Sequence, residues 1–177
     1  ISIGQTTNAT RKAIANLYYR SVEILRPVEV GETLSTSTVV LGLRDASPKA
    51  DLNRGKVWLG IETRSGEEMI ARYERVALLP CAGDAPGHSD EIPGPTDPAS
   101  LDSWTSLVPS WNMSSLPETA WMTGEERRDP LADHVDLAPA LARFTFNQAA
   151  IHRDLEASSF GERLVYGGHT QGLAQAS

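Results

Sequence analysis

Two short segments near the end of the sequence contain the residues best suited to chemistry. One runs from Asn147 to His152, and the other contains the pair Gly167-Gly168, ahead of a helix predicted from Thr170. A histidine can take up and release a proton near neutral pH. Glycines at the start of a helix let free backbone N–H groups approach a developing negative charge. Together the segments predict a general base and an oxyanion donor, although a structural histidine and an ordinary glycine turn fit the same residues.

The elements that must position these residues begin with a sheet. A Thr- and Val-rich composition predicts a strand over Thr33–Leu43, and alternating apolar residues predict one over Lys56–Thr63. A compact turn then predicts the return strand Glu68–Leu79. A short helical pattern precedes them at Ala9–Tyr19, and a polar stretch predicts a loop over Arg44–Arg54. The first part of the chain is therefore expected to be a helix followed by an antiparallel meander of three or four strands.

The last part of the chain is predicted to contain helices and loops. His134–Leu137 has the pattern of a short strand, and Ala138–Phe146 has that of a helix. Asp154 stands where a side chain would cap a helix beginning at Leu155, and this role is favoured over a second catalytic carboxylate. Asp133–Asp136 contains metal-binding side chains, but neighbours on a strand point to opposite faces, so no metal site is expected there.

Between these two parts, dense prolines and glycines predict a linker. Five prolines fall from Pro80 to Pro98, together with three glycines. The following stretch, Leu101–Trp121, contains three of the four tryptophans and no helix or strand period. We expect it to pack over another surface.

Composition and charge limit the class of protein. The chain has 177 residues and a formal net charge of -7, and its basic residues are interleaved with acids, which argues against nucleic-acid binding. No apolar run approaches the ~20 residues of a membrane span. The single cysteine, Cys81, excludes an intrachain disulfide framework and has no constellation of histidine and acid beside it. We expect a soluble, cytoplasmic protein that binds neither nucleic acid nor membranes.

The segments Thr145–Asp154 and Phe160–His169 resemble the hydratase motif of the MaoC-like hotdog family. They are closest to its double-hotdog branch, which includes mesaconyl-CoA hydratase (β-methylmalyl-CoA dehydratase). Arg26–Leu34 is similar to the start of a strand in such domains, and the resemblance covers about residues 1–80 and 131–177. It implies an α+β hotdog fold, an antiparallel sheet wrapped around a long central helix, in a double-hotdog arrangement.

The resemblance also implies roles for the residues of the motif. His152 is expected to activate water as a general base, or to act as the acid in the reverse reaction, and the Gly168 N–H to stabilise an enolate-like intermediate. Asn147 stands five residues before His152, where the family has aspartate. An amide can orient water but cannot transfer a proton, so either His152 acts alone with Asn147 as a positioner or the site is weakened. Four further residues are expected to bind substrate: Gly167, Tyr166, His169 and Arg163.

The implied function is that of a hydro-lyase, which adds or removes water across the α,β double bond of a small acyl-CoA thioester similar to mesaconyl-CoA or β-methylmalyl-CoA. A non-catalytic acyl-CoA-binding hotdog module is the first alternative, because of Asn147. A hotdog thioesterase is the second, but Thr170–Ser177 contains no acid of the kind that such enzymes place on the central helix. No cofactor is expected beyond the CoA of the substrate, and a homodimer or higher homo-oligomer is expected.

The two parts are each incomplete as a hotdog module. Residues 1–80 supply the end of a helix and a sheet, and residues 131–177 supply a catalytic loop and the start of a helix, with a linker over 81–130. An excerpt from a longer double-hotdog chain fits this division, as does one permuted hotdog assembled across the linker. We expect the excerpt, with the C-terminal part of a first module followed by the N-terminal part of a second.

Overall fold

The structure, a computed structural model, describes residues 1–50, 52–96, 126, 134–158 and 160–176. The chain begins with a helix, α1 (Ser2–Thr6), which continues into a 3₁₀ helix at Thr7–Ala9. Four strands follow: β1 (Ala15–Ile24), β2 (Leu34–Lys49), β3 (Leu52–Ser65) and β4 (Glu68–Pro80). The last part contains α2 (Ala138–Phe144), a further 3₁₀ helix at Ala150–His152, and α3 (Gly167–Ala176).

The four strands form one antiparallel sheet in the order β1-β4-β3-β2. A tight turn at Gly66-Glu67 joins β3 to β4, and Gly66 has φ 58°, a left-handed conformation that glycine adopts at little steric cost. Aromatic and β-branched residues are frequent in the strands, in keeping with their fit to a pleated backbone. The predicted antiparallel meander is confirmed for β2, β3 and β4, and β1 joins the sheet beside β4.

One face of the sheet carries the core. Alternate residues of β3 point to this face, and they are Val57, Leu59 and Ile61. Tyr73 from β4 and Ile3 from α1 pack against them. Leu59 is fully buried, and less than a tenth of Ile61 and of Tyr73 is exposed. The core therefore lies between the sheet and the N-terminal helix.

Hydroxyl groups and one glycine fix α1 against its neighbours. The Ser2 Oγ lies 2.6 Å from Oγ1 of Thr63 and 2.9 Å from the hydroxyl of Tyr73, within hydrogen-bond distance of both. Gly4 is buried beside the backbone carbonyl of Thr145, which follows α2, and a Cβ atom on residue 4 would collide with that oxygen. The close packing of the N-terminal helix on the last part of the chain thus requires glycine at this position.

The segment Arg26–Leu34 forms a closed loop that leads into β2. Gly31 adopts a turn with φ 99°. The Arg26 guanidinium donates to both carboxylate oxygens of Glu32, at 2.6 and 3.1 Å, and the Glu29 N–H donates to the same carboxylate at 2.9 Å. These hydrogen bonds, the one from Arg26 first, lower the pKa of Glu32 from 4.5 to about 2. The ion pair therefore fixes the turn that precedes the strand.

Two predictions in the first part of the chain are wrong. At Ala9–Tyr19 the structure has the end of a 3₁₀ helix and then β1, because pairing with β4 outweighs a weak local helix preference. Arg44–Arg54 is not a loop, since β2 and β3 remain paired as far as Lys49 and Leu52. Pro48 is tolerated because β2 is an outer strand of the described sheet and the register shifts there.

In the last part of the chain, α2 confirms the helix predicted at Ala138–Phe146, although it ends two residues earlier. His134–Leu137 is irregular and turn-like rather than a strand, because it has no neighbouring strand among the described residues. The helix predicted after Asp154 does not form either. The Asp154 carboxylate accepts the N–H of Glu156 at 3.0 Å and so closes a local turn instead.

The proline-rich segment after β4 contacts both outer strands of the sheet. Ser89 pairs with Arg44 of β2, and the hydroxyl of Tyr18 on β1 donates to the Pro93 carbonyl at 2.7 Å. Because β1 and β2 are the two edges of the described sheet, this segment crosses from one edge to the other.

The tryptophan-rich stretch Leu101–Trp121 lies outside the described residues, so the prediction that it packs over another surface stays a prediction. The division of the chain into 1–80, 81–130 and 131–177 also stays a prediction. Within the ranges that the structure describes, no helix combines the length and the apolar character needed to cross a membrane.

Candidate active site

A cavity of about 180 Å³ lies where the N-terminal elements meet the last part of the chain. Five residues that the sequence predicts as functional line it: Asn147, His152, Tyr166, Gly167 and Gly168. The structure therefore brings together the three residues predicted to be catalytic and two of the four expected to bind substrate. From the first part of the chain, the lining includes Thr7, Tyr19 and Arg75, along with two isoleucines, Ile3 and Ile14.

His152 ends a short 3₁₀ helix, and its ring is oriented by the backbone. Its Nδ1 lies 2.9 Å from the carbonyl oxygen of Leu164. A carbonyl oxygen only accepts hydrogen bonds, so Nδ1 carries the proton of the neutral ring and Nε2 keeps its lone pair. The side chain is partly buried and lines the cavity. This arrangement prepares Nε2 as the basic nitrogen.

Tyr166 forms the cavity wall beside His152. The two ring centroids are 5.6 Å apart with planes inclined at 45°, and only 6% of Tyr166 is exposed. Burial, with a smaller contribution from Tyr19, raises the pKa of Tyr166 to about 12, although a hydrogen bond with Thr145 and the charge of Arg75 act in the opposite direction. The phenol is therefore neutral at physiological pH and does not act as a base.

Asn147 is held by the turn that follows α2. Phe146 adopts φ 59°, a left-handed conformation that is uncommon and costly for a residue with a side chain. The Asn147 N–H then donates to the carbonyl of Ala142 at 2.8 Å. Its side-chain oxygen accepts the N–H of Ala149 at 2.9 Å, and only 3% of the residue is exposed. The amide NH₂ group is thereby left as the donor that can serve the cavity.

Both glycines lie in the first turn of α3, which begins at Gly167, three residues before the predicted start at Thr170. In the described part of the chain, no backbone acceptor bonds the N–H of Gly167 or Gly168, as is usual for a first turn. A Cβ atom on residue 168 would lie 2.8 Å from Cζ of Tyr166, so this packing favours glycine. Free N–H groups and the positive end of a helix dipole suit a negatively charged group.

Two predicted substrate-binding residues, His169 and Arg163, are not part of the cavity lining. The His169 N–H donates to the Tyr166 carbonyl at 2.8 Å, and its Nδ1 is buried with no hydrogen-bond partner among the described residues. Arg163 is exposed to solvent. Their roles in binding substrate stay predictions.

Arg75 is the main cavity residue that the sequence patterns did not reveal. Only 4% of it is exposed, and it donates from Nη1 to Oγ1 of Thr6 at 2.7 Å and from Nη2 to Oγ1 of Thr10 at 2.8 Å. One feature of the sequence could have revealed this buried arginine. Tyr73 and Ala77 alternate with Arg75 on the buried face of β4, and an arginine is rarely buried without a specific partner.

In the part of the chain that the structure describes, the other reactive or metal-binding side chains form no second site. Within the described ranges, no three His, Cys, Asp or Glu side chains are grouped so that they could hold a metal ion. His134 and Asp136 are exposed, and Cys81 is a free, half-buried cysteine just after β4. Among the described residues, the cavity lining offers an imidazole, a guanidinium, amides, phenols, hydroxyl groups and backbone N–H groups.

The sequence matches no known family model, but it is similar to two curated proteins. Mesaconyl-CoA hydratase from Cereibacter sphaeroides is 29% identical over 92% of this chain and 50% of that protein. Beta-methylmalyl-CoA dehydratase from Chloroflexus aurantiacus is 27% identical over 99% of this chain and 54% of that protein. The chain thus spans about half the length of the curated relatives it matches.

Two solved structures are similar in both fold and sequence. A conserved hypothetical protein from Mycobacterium tuberculosis with a double hotdog fold has a TM-score of 0.74 and 36% identity, covering 99% of this chain and 56% of that one. A putative MaoC domain protein dehydratase from Chloroflexus aurantiacus has a TM-score of 0.80 and 26% identity, covering 98% and 53%. The chain is thus similar to MaoC-like and double-hotdog proteins.

The resemblance found in the motifs is confirmed by these relatives, and so is the α+β hotdog fold class. The four-stranded antiparallel sheet corresponds to part of a MaoC-like double hotdog. The longest helix described, α3, has 10 residues, so the described part of the chain represents a partial hotdog without its long central helix.

Proposed function

We propose that this chain carries the reacting groups of a hydratase or dehydratase that acts on a small α,β-unsaturated acyl-CoA thioester. The main support is the contact between Nδ1 of His152 and the Leu164 carbonyl, which leaves Nε2 basic in a cavity shared with Asn147 and the first turn of α3. The names of the curated relatives support the same chemistry, and the substrate would resemble mesaconyl-CoA or β-methylmalyl-CoA.

In the direction of hydration, His152 acts first as a base. Its Nε2 takes a proton from water while the water oxygen bonds to the β-carbon of the substrate. The electrons of the double bond move toward the thioester carbonyl and give an enolate-like intermediate. The N–H groups of Gly167 and Gly168 stabilise its oxygen. The imidazolium then returns the proton to the α-carbon, so one molecule of water is added and His152 is restored; dehydration is the reverse.

Asn147 acts in this scheme as a positioning group for water. Its oxygen is occupied by the Ala149 N–H, and its NH₂ group can donate to the water oxygen or to the hydroxyl of the hydrated product. Because an amide does not transfer a proton, both proton steps belong to His152.

Two other functions fit the cavity less well. The first is a non-catalytic acyl-CoA-binding module. Its support is the amide at position 147, which leaves a single acid-base group in the cavity. A thioesterase is disfavoured because no Asp or Glu is among the described residues that line the cavity.

The hydration of crotonyl-CoA and mesaconyl-CoA by the purified chain tests the proposal. His152→Ala is expected to lower kcat by about 10²- to 10⁴-fold, the usual contribution of a general acid-base group, while binding of the CoA esters is retained. His134→Ala is the matched control, because His134 is exposed and does not line the cavity. Its turnover should equal that of the wild type.

Three results would contradict the proposal. Unchanged turnover in His152→Ala would show that His152 is not the general base. Tight binding of CoA esters by the wild type without any hydration would identify a binding module. Release of free CoA thiol without hydration would identify a thioesterase.

A further inference from the structure

The guanidinium of Arg75 is a buried charge at the wall of the cavity. It extends from β4, and its two hydrogen bonds to Thr6 and Thr10 use two of its five N–H donors. Its Nε is buried and has no hydrogen-bond partner among the described residues. Both partners are neutral hydroxyl groups, so they orient the guanidinium and leave its charge uncompensated.

No carboxylate of the described residues compensates this charge. The ion pairs in that part of the chain belong to other arginines: Arg20, Arg26, Arg64 and Arg72. The described lining of the cavity also contains no Asp or Glu. Removing a charge from water is strongly unfavourable unless an opposite charge or a set of hydrogen bonds replaces the water. An anionic group bound in the cavity would supply the opposite charge for the Arg75 guanidinium.

The size and lining of the cavity indicate which anion this is. About 180 Å³ is less than the roughly 300–1,000 Å³ of pockets for drug-sized ligands, so the cavity suits a short acyl group rather than the nucleotide of CoA. Ile3, Ile14 and Ile151 offer apolar contact to a carbon chain. The planar fork of a guanidinium matches the two oxygens of a carboxylate.

Arg75 and His152 both line the cavity of about 180 Å³. Tyr166 lines it too, and its ring centroid lies 5.6 Å from that of His152. An acyl group whose double bond lies at His152 would therefore need only a short chain to bring its far end to Arg75.

We propose that Arg75 binds a carboxylate at the far end of the acyl chain and so selects monothioesters of short unsaturated dicarboxylic acids over neutral acyl-CoA esters. This assignment rests on the proposed function for the position of the thioester. It makes Arg75 a specificity-determining residue, distinct from the acid-base group at His152.

Binding of two saturated esters to the full chain tests the assignment. Succinyl-CoA and butyryl-CoA have acyl chains of equal length and differ in a terminal carboxylate against a methyl group. By calorimetry, the wild type should bind succinyl-CoA about 10- to 150-fold more tightly, the range expected for hydrogen bonds to a charged group. Arg75→Met should abolish this preference and leave the affinity for butyryl-CoA within about threefold.

Arg72→Met is the matched control. Arg72 lies on the same strand, and its ion pair with Glu23 is exposed, so its replacement should keep the full preference for succinyl-CoA. Arg75→Lys provides a second variant if the methionine leaves Thr6 and Thr10 unsatisfied and prevents folding. It keeps the charge but not the fork, and its preference should fall between those of the wild type and the methionine variant.

Equal affinity of the wild type for the two esters would overturn the assignment. An equal loss of both affinities in Arg75→Met would overturn it as well, because that result indicates a structural role or a contact with the CoA phosphates, which both esters share. Neither ester has a double bond to hydrate. The outcome is therefore independent of the hydration assay, and the proposed function and the role of Arg75 can fail separately.

Discussion

The backbone N–H of Gln148 donates a 2.7 Å hydrogen bond to Oγ1 of Thr7, a residue 141 positions away in the sequence. The same hydroxyl donates to the carbonyl of Gly4 at 2.6 Å, and Thr7 is 5% exposed. Gln148 follows Asn147 and precedes the 3₁₀ helix that carries His152. One threonine hydroxyl therefore ties the segment that holds two predicted catalytic residues to the N-terminal helix.

Replacing this hydroxyl should weaken the junction between the two parts of the chain. We expect Thr7→Val to lower the free energy of unfolding by about 1–3 kcal/mol, because valine keeps the shape and leaves the Gln148 N–H without its acceptor. Urea unfolding measures the loss. Thr33→Val is the control, since Thr33 is exposed and its change should stay within about 0.5 kcal/mol. Equal results for the two variants would show that the hydrogen bond contributes nothing.

The sheet could be predicted from the sequence because apolar side chains at alternate positions of a strand lie on its buried face. Val57, Leu59 and Ile61 stand at every second position of β3, and they are the residues that this strand contributes to the core. The extent of the strands was not predictable in the same way. The polar residues of Arg44–Arg54 predict a loop, yet β2 and β3 are paired there. Strand pairing depends on two segments at once, so the composition of one segment does not reveal it.

The cavity shows a similar division. His152, Asn147 and Gly168 were predicted because they form one compact motif with a family resemblance, and they do line one cavity. Arg75 was missed because its environment depends on Thr6 and Thr10, more than sixty positions away. A charged side chain in the buried row of β4 was the available signal, but a sequence alone does not say what lies opposite it.

Asn147→Asp distinguishes a positioning amide from a weakened acid-base site. If the NH₂ group orients water, the ionised carboxylate cannot donate the same hydrogen bond. We then expect kcat for crotonyl-CoA to fall by about tenfold, the effect of about 1.4 kcal/mol in the barrier. The aspartate oxygen can still accept the Ala149 N–H, so the turn after α2 should be retained.

A rise in kcat for Asn147→Asp would contradict the positioning role, because it would mean that a second proton-transfer group had been missing. Asn8→Asp is the control for the added negative charge. Asn8 is exposed and outside the cavity, and its side-chain oxygen accepts from Arg11 at 2.8 Å, a bond that aspartate keeps. Its kcat should match that of the wild type, and urea unfolding of both variants separates turnover from stability.

The buried phenol of Tyr166 should make stability depend on pH in the alkaline range. Its pKa is raised from 10.0 to about 12 in the folded chain, so the folded state keeps the neutral form while the unfolded chain ionises. The stabilisation is fully present below about pH 10 and is lost as pH rises toward about 12. Relative to Tyr166→Phe, which has no such proton, the wild type should lose about 2–3 kcal/mol of unfolding free energy across this interval.

Tyr19 and Tyr73, whose pKa values are also raised by burial, are present in both proteins and cancel in the difference. Urea unfolding at intervals from about pH 8 to about pH 12 measures the two curves. Parallel curves would mean that the Tyr166 hydroxyl has the same pKa in the folded and unfolded chains and is open to water.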